Sequence, residues 1–259
     1  MSISVLQVAR WSCRTAVGAS ALFLAMAAHA GFSEFIIRGA ATINHPAPGE
    51  TEFLITAGGQ KAGMGSNDVN GKTLGSLAQV KIDRLDDEGR FTPGSGPAVA
   101  PYLNIWITDG AGNYAVVANE PSDGNFQPLY NDGYDLSFGD LANKVAKIYE
   151  NADKSWLPNN GVGLTFAQLA NFLIQAPTVA ELTIGWTGLG TGAPRELGTN
   201  VAYGVNWVFG DTLSNYVSGD PGYRVANAQV SAVPEPASLA LVGLALAAVA
   251  VSRRRRQGK

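Results

Sequence analysis

Four clusters of short acidic and amide side chains are the richest sources of oxygen ligands in this 259-residue chain. They are Asp68-Val69-Asn70-Gly71, Asp86-Asp87-Glu88-Gly89, Asp109-Gly110-Ala111-Gly112-Asn113 and Asn131-Asp132-Gly133-Tyr134-Asp135. Calcium binds through several such oxygens, and only the last cluster sets two carboxylates and an amide within five residues. Asp132 and Asp135 are therefore the weak metal candidates. None of the four completes an EF-hand loop, which needs a bidentate Glu at a fixed distance after the glycine. Asp, Asn and Gly also cap local backbone and tolerate positive φ, so turn chemistry is the better account of each cluster. No resident metal or cofactor is expected.

Hydrolysis of glycosidic bonds by paired carboxylates is the second chemistry to weigh. It needs two acids about 5–9.5 Å apart across a cleft, a distance that sequence does not reveal. Glu181 and Glu196 draw notice because each lies among apolar or Gly-rich residues near a Trp. Aromatic rings offer a third possibility, since sugars stack on them. Trp106 shares a strand face with Asn104 and Thr108, so it is expected to be partly exposed and is the one candidate glycan contact. Trp186 and Trp207 alternate with apolar residues and read as core, and Trp156 reads as closing a hydrophobic edge. The glycine-rich stretch 185–192 lacks the Lys-Ser/Thr of a phosphate loop.

Other chemistries are excluded by counting. Cys13 is the only cysteine and lies near the N-terminus, and His45 is the only histidine beyond residue 30. The body therefore has no disulfide, thiol nucleophile, thiolate metal site or multi-histidine zinc site. His45 sits beside Pro46 and Pro48 in an apparent loop and reads as ordinary surface. Residues 31–232 hold 11 basic against 20 acidic side chains, a net charge near −9. Such a body should not bind nucleic acid by bulk electrostatics.

The elements that must position these residues read as mostly β. Leu103, Ile105 and Ile107 alternate with Tyr102, Asn104, Trp106 and Thr108, which predicts a strand over 99–109. A turn at 109–113 and a second strand over 114–119 complete a hairpin. Further strands are expected at 32–40, 51–57, 77–85, 180–187, 201–209 and 223–230. Helical spacing of Leu141, Val145, Ile148 and Tyr149 predicts a helix over 140–151 with Asp140 as N-cap. Phe166, Leu169, Phe172 and Leu173 predict another over 165–175, stopped before Pro177. The expected fold is a jelly-roll-like β-sandwich with a short two-helix insertion, and 200 residues suffice for one core.

Both ends carry membrane-directed signals. Arg10 and Arg14 precede an apolar run over 16–28, and Ala28-His29-Ala30 supplies a small-x-small cleavage site, as in a secretory signal peptide. Gly31 is then the first mature residue. At the C-terminus stand Pro234-Glu235-Pro236, an apolar stretch over 237–251, and Arg253, Arg254, Arg255 and Arg256. Fifteen residues of helix span about 22 Å, short of the ~30 Å hydrocarbon core. The arginines favour the cytoplasmic side, which leaves the body outside.

This tripartite tail resembles the PEP-CTERM sorting signal of Gram-negative, biofilm-forming bacteria. The resemblance covers residues 233–259 and says nothing of the body. It implies transient anchoring in the inner membrane and processing near the Pro-Glu-Pro by exosortase, a membrane-embedded cysteine protease. The expected partners are the general secretion machinery, exosortase, the membrane before processing, and exopolysaccharide. The expected role is structural or adhesive and non-enzymatic, at the cell surface or in the extracellular matrix. A carbohydrate-binding module is the alternative, and a secreted carboxylate-dependent hydrolase the next.

Overall fold

Alternation of apolar and polar side chains produces two antiparallel sheets in the computed structural model, which describes residues 31–91, 99–119, 134–149, 153–185, 189–211 and 217–233. The strands are β1 (Ser33–Arg38), β2 (Thr42–Asn44), β3 (Glu50–Leu54), β4 (Lys61–Ser66), β5 (Leu77–Arg84), β6 (Tyr102–Thr108), β7 (Tyr114–Asn119), β8 (Asp135–Leu136), β9 (Lys147–Tyr149), β10 (Leu173–Ile174), β11 (Val205–Phe209) and β12 (Tyr223–Ala232). The larger sheet runs β1-β4-β11-β6-β7-β9, with β10 continuing the ladder of β6 where β11 leaves off. The smaller runs β2-β3-β12-β5-β8.

Aromatic side chains from both sheets meet in one core. Phe53 of β3 stacks on Phe209 of β11 with ring centroids 4.0 Å apart, and Tyr223 of β12 tilts against Phe209 at 5.5 Å. Trp207 is fully buried there, as its neighbours predicted, and lies 5.6 Å from the Tyr134 ring. The expected hairpin is present: β6 and β7 pair from Leu103↔Asn119 to Thr108↔Tyr114 around the turn at 109–113.

Strand β4 escaped the sequence reading because Lys-Ala-Gly-Met-Gly-Ser has little β-propensity. It lies between β1 and β11 with all six residues buried. Its glycines are spacers: a Cβ on Gly65 would come within 2.5 Å of both Asn206 Oδ1 and Tyr203 Cβ. Such a glycine marks close approach by neighbouring chain.

The helical expectations need correction. Asp140 is not an N-cap. Ser137 holds that place, and Asp140 accepts hydrogen bonds from the Ser137 backbone and hydroxyl, both at 2.7 Å. The helix Phe138–Leu141 ends after four residues, and the chain enters β9 on the edge of β7. Val145, Ile148 and Tyr149 are β-branched or aromatic, and the open edge of β7 outweighed their helical spacing. Over 165–175 only a 3-10 turn, Phe166–Leu169, forms before β10. Conversely, the described part of 180–187 is no strand: Val179–Ile184 is a helix ended by Gly185 at φ 72°. Its signal was the capping box Thr178-x-x-Glu181.

One bulge shapes β12, and its pairing with β5 has a second irregularity. Between Ala226↔Asp83 and Gln229↔Lys81 it carries one extra residue, and Asn227 there has φ 50°. Inward parity consequently shifts from Tyr223 and Val225 to Val230. The second irregularity falls between Ser231↔Gln79 and Ala232↔Leu77.

Candidate functional site

The expected sorting residues Ala28, Ala30, Pro234, Glu235, Pro236 and Arg253 to Arg256 lie outside the described residues. What the structure places is the point where the body meets them. The last strand runs to Ala232, and the Val233 N–H donates to the Ser76 carbonyl at 2.7 Å. Pro234 follows at once, with no spacer. Gly31 lies close by, its N–H donating to Asp68 Oδ2 at 3.3 Å. Gly31, Phe32, Asp68, Gln79 and Ala228 to Ser231 line a cleft of about 400 Å³. Gly31 and Ser231, near the first and last described residues, therefore lie on the same cleft.

The expected exposure of Trp106 is overturned. Its side chain is 0% exposed and packs with Val116, Ala176, Leu182 and Ala193. The indole N–H donates to the Pro194 carbonyl at 3.1 Å. The helix Val179–Ile184 and the segment 189–202 cover this outer face of the larger sheet, so polar neighbours did not mean water. Asn104 and Asn206 are just as deeply buried on that face, and Asn206 donates to the Tyr203 carbonyl at 2.7 Å. A ring enclosed in this way cannot stack on a glycan. Trp186 lies outside the described residues. Trp156, half-buried, meets Phe172 edge-on at 5.3 Å and packs against the core, as expected.

Two of the described acidic turns direct a carboxylate onto their own backbone. Asp109 accepts from the N–H groups of Ala111 and Asn113 and from the Asn113 amide. Burial opposes its ionised form, yet these hydrogen bonds hold its carboxyl below the usual range. Asp87 accepts from the Gly89 N–H at 2.9 Å. Asp135 is exposed and accepts from the Gln79 amide at 2.7 Å, while Asp132 lies outside the described residues. Among the described residues no three of His, Cys, Asp and Glu gather as a metal site.

Glu181 and Glu196 prove to have local employment. Glu181 closes the capping box on Thr178 and accepts from the Tyr114 hydroxyl at 3.2 Å. The Thr178 N–H, above all, holds its carboxyl below the usual range. Glu196 accepts from the Thr199 hydroxyl. His45 is exposed, with Nε2 2.8 Å from Glu34, whose other oxygen takes the Thr51 hydroxyl. The Thr51 hydroxyl is thus bonded to the carboxylate rather than to the imidazole, which is not the order of a nucleophile–base relay.

Sequence reasoning missed one cleft, of about 230 Å³, lined by Asp86, Asp87, Arg90, Phe91, Asp220 and Arg224 among others. Asp86 pairs with Arg84 at 2.9 Å, and both side chains are almost wholly enclosed. Arg84 also donates to the Tyr134 hydroxyl and the Phe91 carbonyl. Burial pushes the Asp86 carboxyl up against the pull of Arg84, and pushes the Tyr134 phenol up as well. A perturbed carboxyl in a cleft is what a hydrolase would need. Asp86 has no exposed side-chain surface, however, and Arg84 fixes one of its oxygens. Alternation along β5 places Arg84 beside core residues, which was the available signal for this buried pair.

The family model of the PEP-CTERM protein-sorting motif matches residues 232–256. No curated protein and no solved structure matches the chain. The motif makes this an exported protein, held transiently at the membrane and sorted by exosortase. Among the described residues no helix is long and apolar enough to cross a membrane, and the stretch 237–251 lies beyond them.

Proposed function

We propose that this is a β-sandwich protein of the cell surface or extracellular matrix of a Gram-negative bacterium, with a structural or adhesive and non-enzymatic role. The sorting motif at 232–256 carries the reading, because it addresses the body to an exported location and is itself expendable. The use of the described acids supports the role. Asp87, Asp109, Asp140 and Glu181 cap turns or helices, Glu50, Asp83 and Asp211 pair with cations, and Asp86, the acid with a raised pKa in a cleft, is enclosed with Arg84. The exported body, rich in acidic side chains, suits a hydrated polysaccharide matrix without binding it by charge.

The test has two stages. Replacing Pro234, Glu235 and Pro236 with Ala should leave unprocessed, membrane-bound protein in the native host, and equal release of both forms would refute sorting through this motif. Fractionation of the wild type should then place the mature body with the exopolysaccharide, and cells lacking it should form a weaker matrix. Release of a freely soluble body that hydrolyses the matrix polymer would refute the non-enzymatic role.

A further inference from the structure

The family match begins at Ala232, which is also the last residue of β12. Val233 is still tied to the body through Ser76. Folded domain and sorting motif thus share residues, and this overlap has a chemical consequence. A protease that takes its substrate as extended chain pairs with backbone N–H and C=O groups on both sides of the bond it cuts. The residues just before Pro234 cannot serve two partners at once. While they pair with β5 and Ser76, the chain just before Pro234 is tied to the body.

We infer that residues 231–233 are a detachable arm, and that exosortase reaches the motif only after the arm has peeled from β5. The construction of β12 fits this use. From Tyr223 to Ala226 the strand is paired by β3, and at Val225 and Ala226 by β5 as well. Beyond the Asn227 bulge it is paired by β5 alone. The register breaks again within the arm, between Ser231 and Ala232, where β5 carries the extra residue. Val233 is 55% exposed, so little apolar surface opposes its release. Val230 is 5% exposed in the core opposite Val80, and there the peeling stops. Three freed residues add about 10 Å of reach. The 400 Å³ cleft beside Ala228 to Ser231 supplies open space next to the arm.

The inference rests on exosortase processing, and the experiment separates the two. In the full-length precursor, Ser231→Cys with Gln79→Cys would staple the arm to β5 at residues directly opposite each other. Antiparallel partners are near enough for a disulfide, and after removal of Cys13 with the signal peptide no other cysteine competes. Pulse-chase in an exosortase-bearing host should show processing slowed at least about tenfold, with recovery on reduction, because local opening is blocked. A spacer of about six Gly/Ser residues between Val233 and Pro234, roughly 20 Å of chain, should restore the rate in the stapled protein without reductant. Processing of the oxidised staple at the wild-type rate would overturn the inference, as would failure of the spacer to rescue it. The Pro234/Glu235/Pro236→Ala variant is the control. Its normal processing would refute sorting itself, whereas its arrest beside an unaffected staple would refute the arm alone.

Discussion

Replacing Trp106 with Ala distinguishes a core role from a surface role with a large margin. The indole is fully enclosed between β6, β7, the helix Val179–Ile184 and the segment 189–202. A Trp buries about 150–250 Å², which at ~25 cal/mol per Å² corresponds to about 4–6 kcal/mol. Measured Trp and Phe truncations cost about 3–5 kcal/mol, cavity included. Removal of Nε1 also leaves the buried Pro194 carbonyl without its donor. We expect a loss of about 4 kcal/mol. With a urea slope of about 2 kcal/mol/M, the denaturation midpoint of the body (31–233) should fall by about 2 M. Trp106→Phe keeps most of the packing and should lose about 1–2 kcal/mol. Because the cover rests on this ring, limited proteolysis within 189–202 should accelerate more than global unfolding does. A change below about 0.5 kcal/mol for Trp106→Ala, the scale of surface sites, would refute the enclosure and return the ring to solvent.

Three further outcomes are expected. Asp86→Asn should cost about 3–5 kcal/mol in urea denaturation, since it leaves Arg84 buried without its anion, and adding Arg84→Met should recover part of that loss. The raised carboxyl of Asp86 also means that this site favours the folded state increasingly as pH falls through its folded pKa. Glu181→Ala should cost about 0.5–1 kcal/mol at neutral pH by opening the capping box. Because the Glu181 carboxyl is held low, its contribution is present above the unfolded value of about 4.3. It disappears as pH falls through the lowered folded pKa, so mutant and wild-type stabilities should converge in acid. Millimolar calcium should leave the melting temperature unchanged to within about a degree. A rise of several degrees reversed by chelation would match a site worth about 2.7 kcal/mol at a hundredfold excess over Kd, and would assign metal binding to the loop of Asp132 and Asp135.

Strands with strict alternation were legible in the sequence. The strand over β6 was found from its alternation, those over β1, β3, β5, β7, β11 and β12 from short apolar runs between turn residues, and the Asp-Gly-Ala-Gly-Asn turn was placed correctly. The failures share a cause. Strand β4 is made of residues chosen for closeness rather than propensity, and closeness belongs to Tyr203 and Asn206, which are far away in sequence. The stretch 140–151 has helical spacing, but an open edge on β7 claimed its residues 147–149. Asn104 and Thr108 suggested a wet face, whereas a cover contributed by residues some 70–95 positions later made it dry. At the sorting motif, by contrast, chemistry is local and contiguous, so the sequence was sufficient. What it could not reveal is that the motif begins inside a strand.

The place of β12 in the smaller sheet has a consequence for synthesis. Its partners β3 and β5 lie within the first third of the chain but do not touch each other; they are joined only through β12. During export from the N-terminus these two strands arrive early and wait, each with a vacant side. The strand that fills the gap is the last part of the body to cross. The sheet therefore stays open until nearly the whole body has been translocated, and it closes as the sorting tail enters the bilayer. A chain that must cross a membrane unfolded is well served by a topology in which the closing strand comes last.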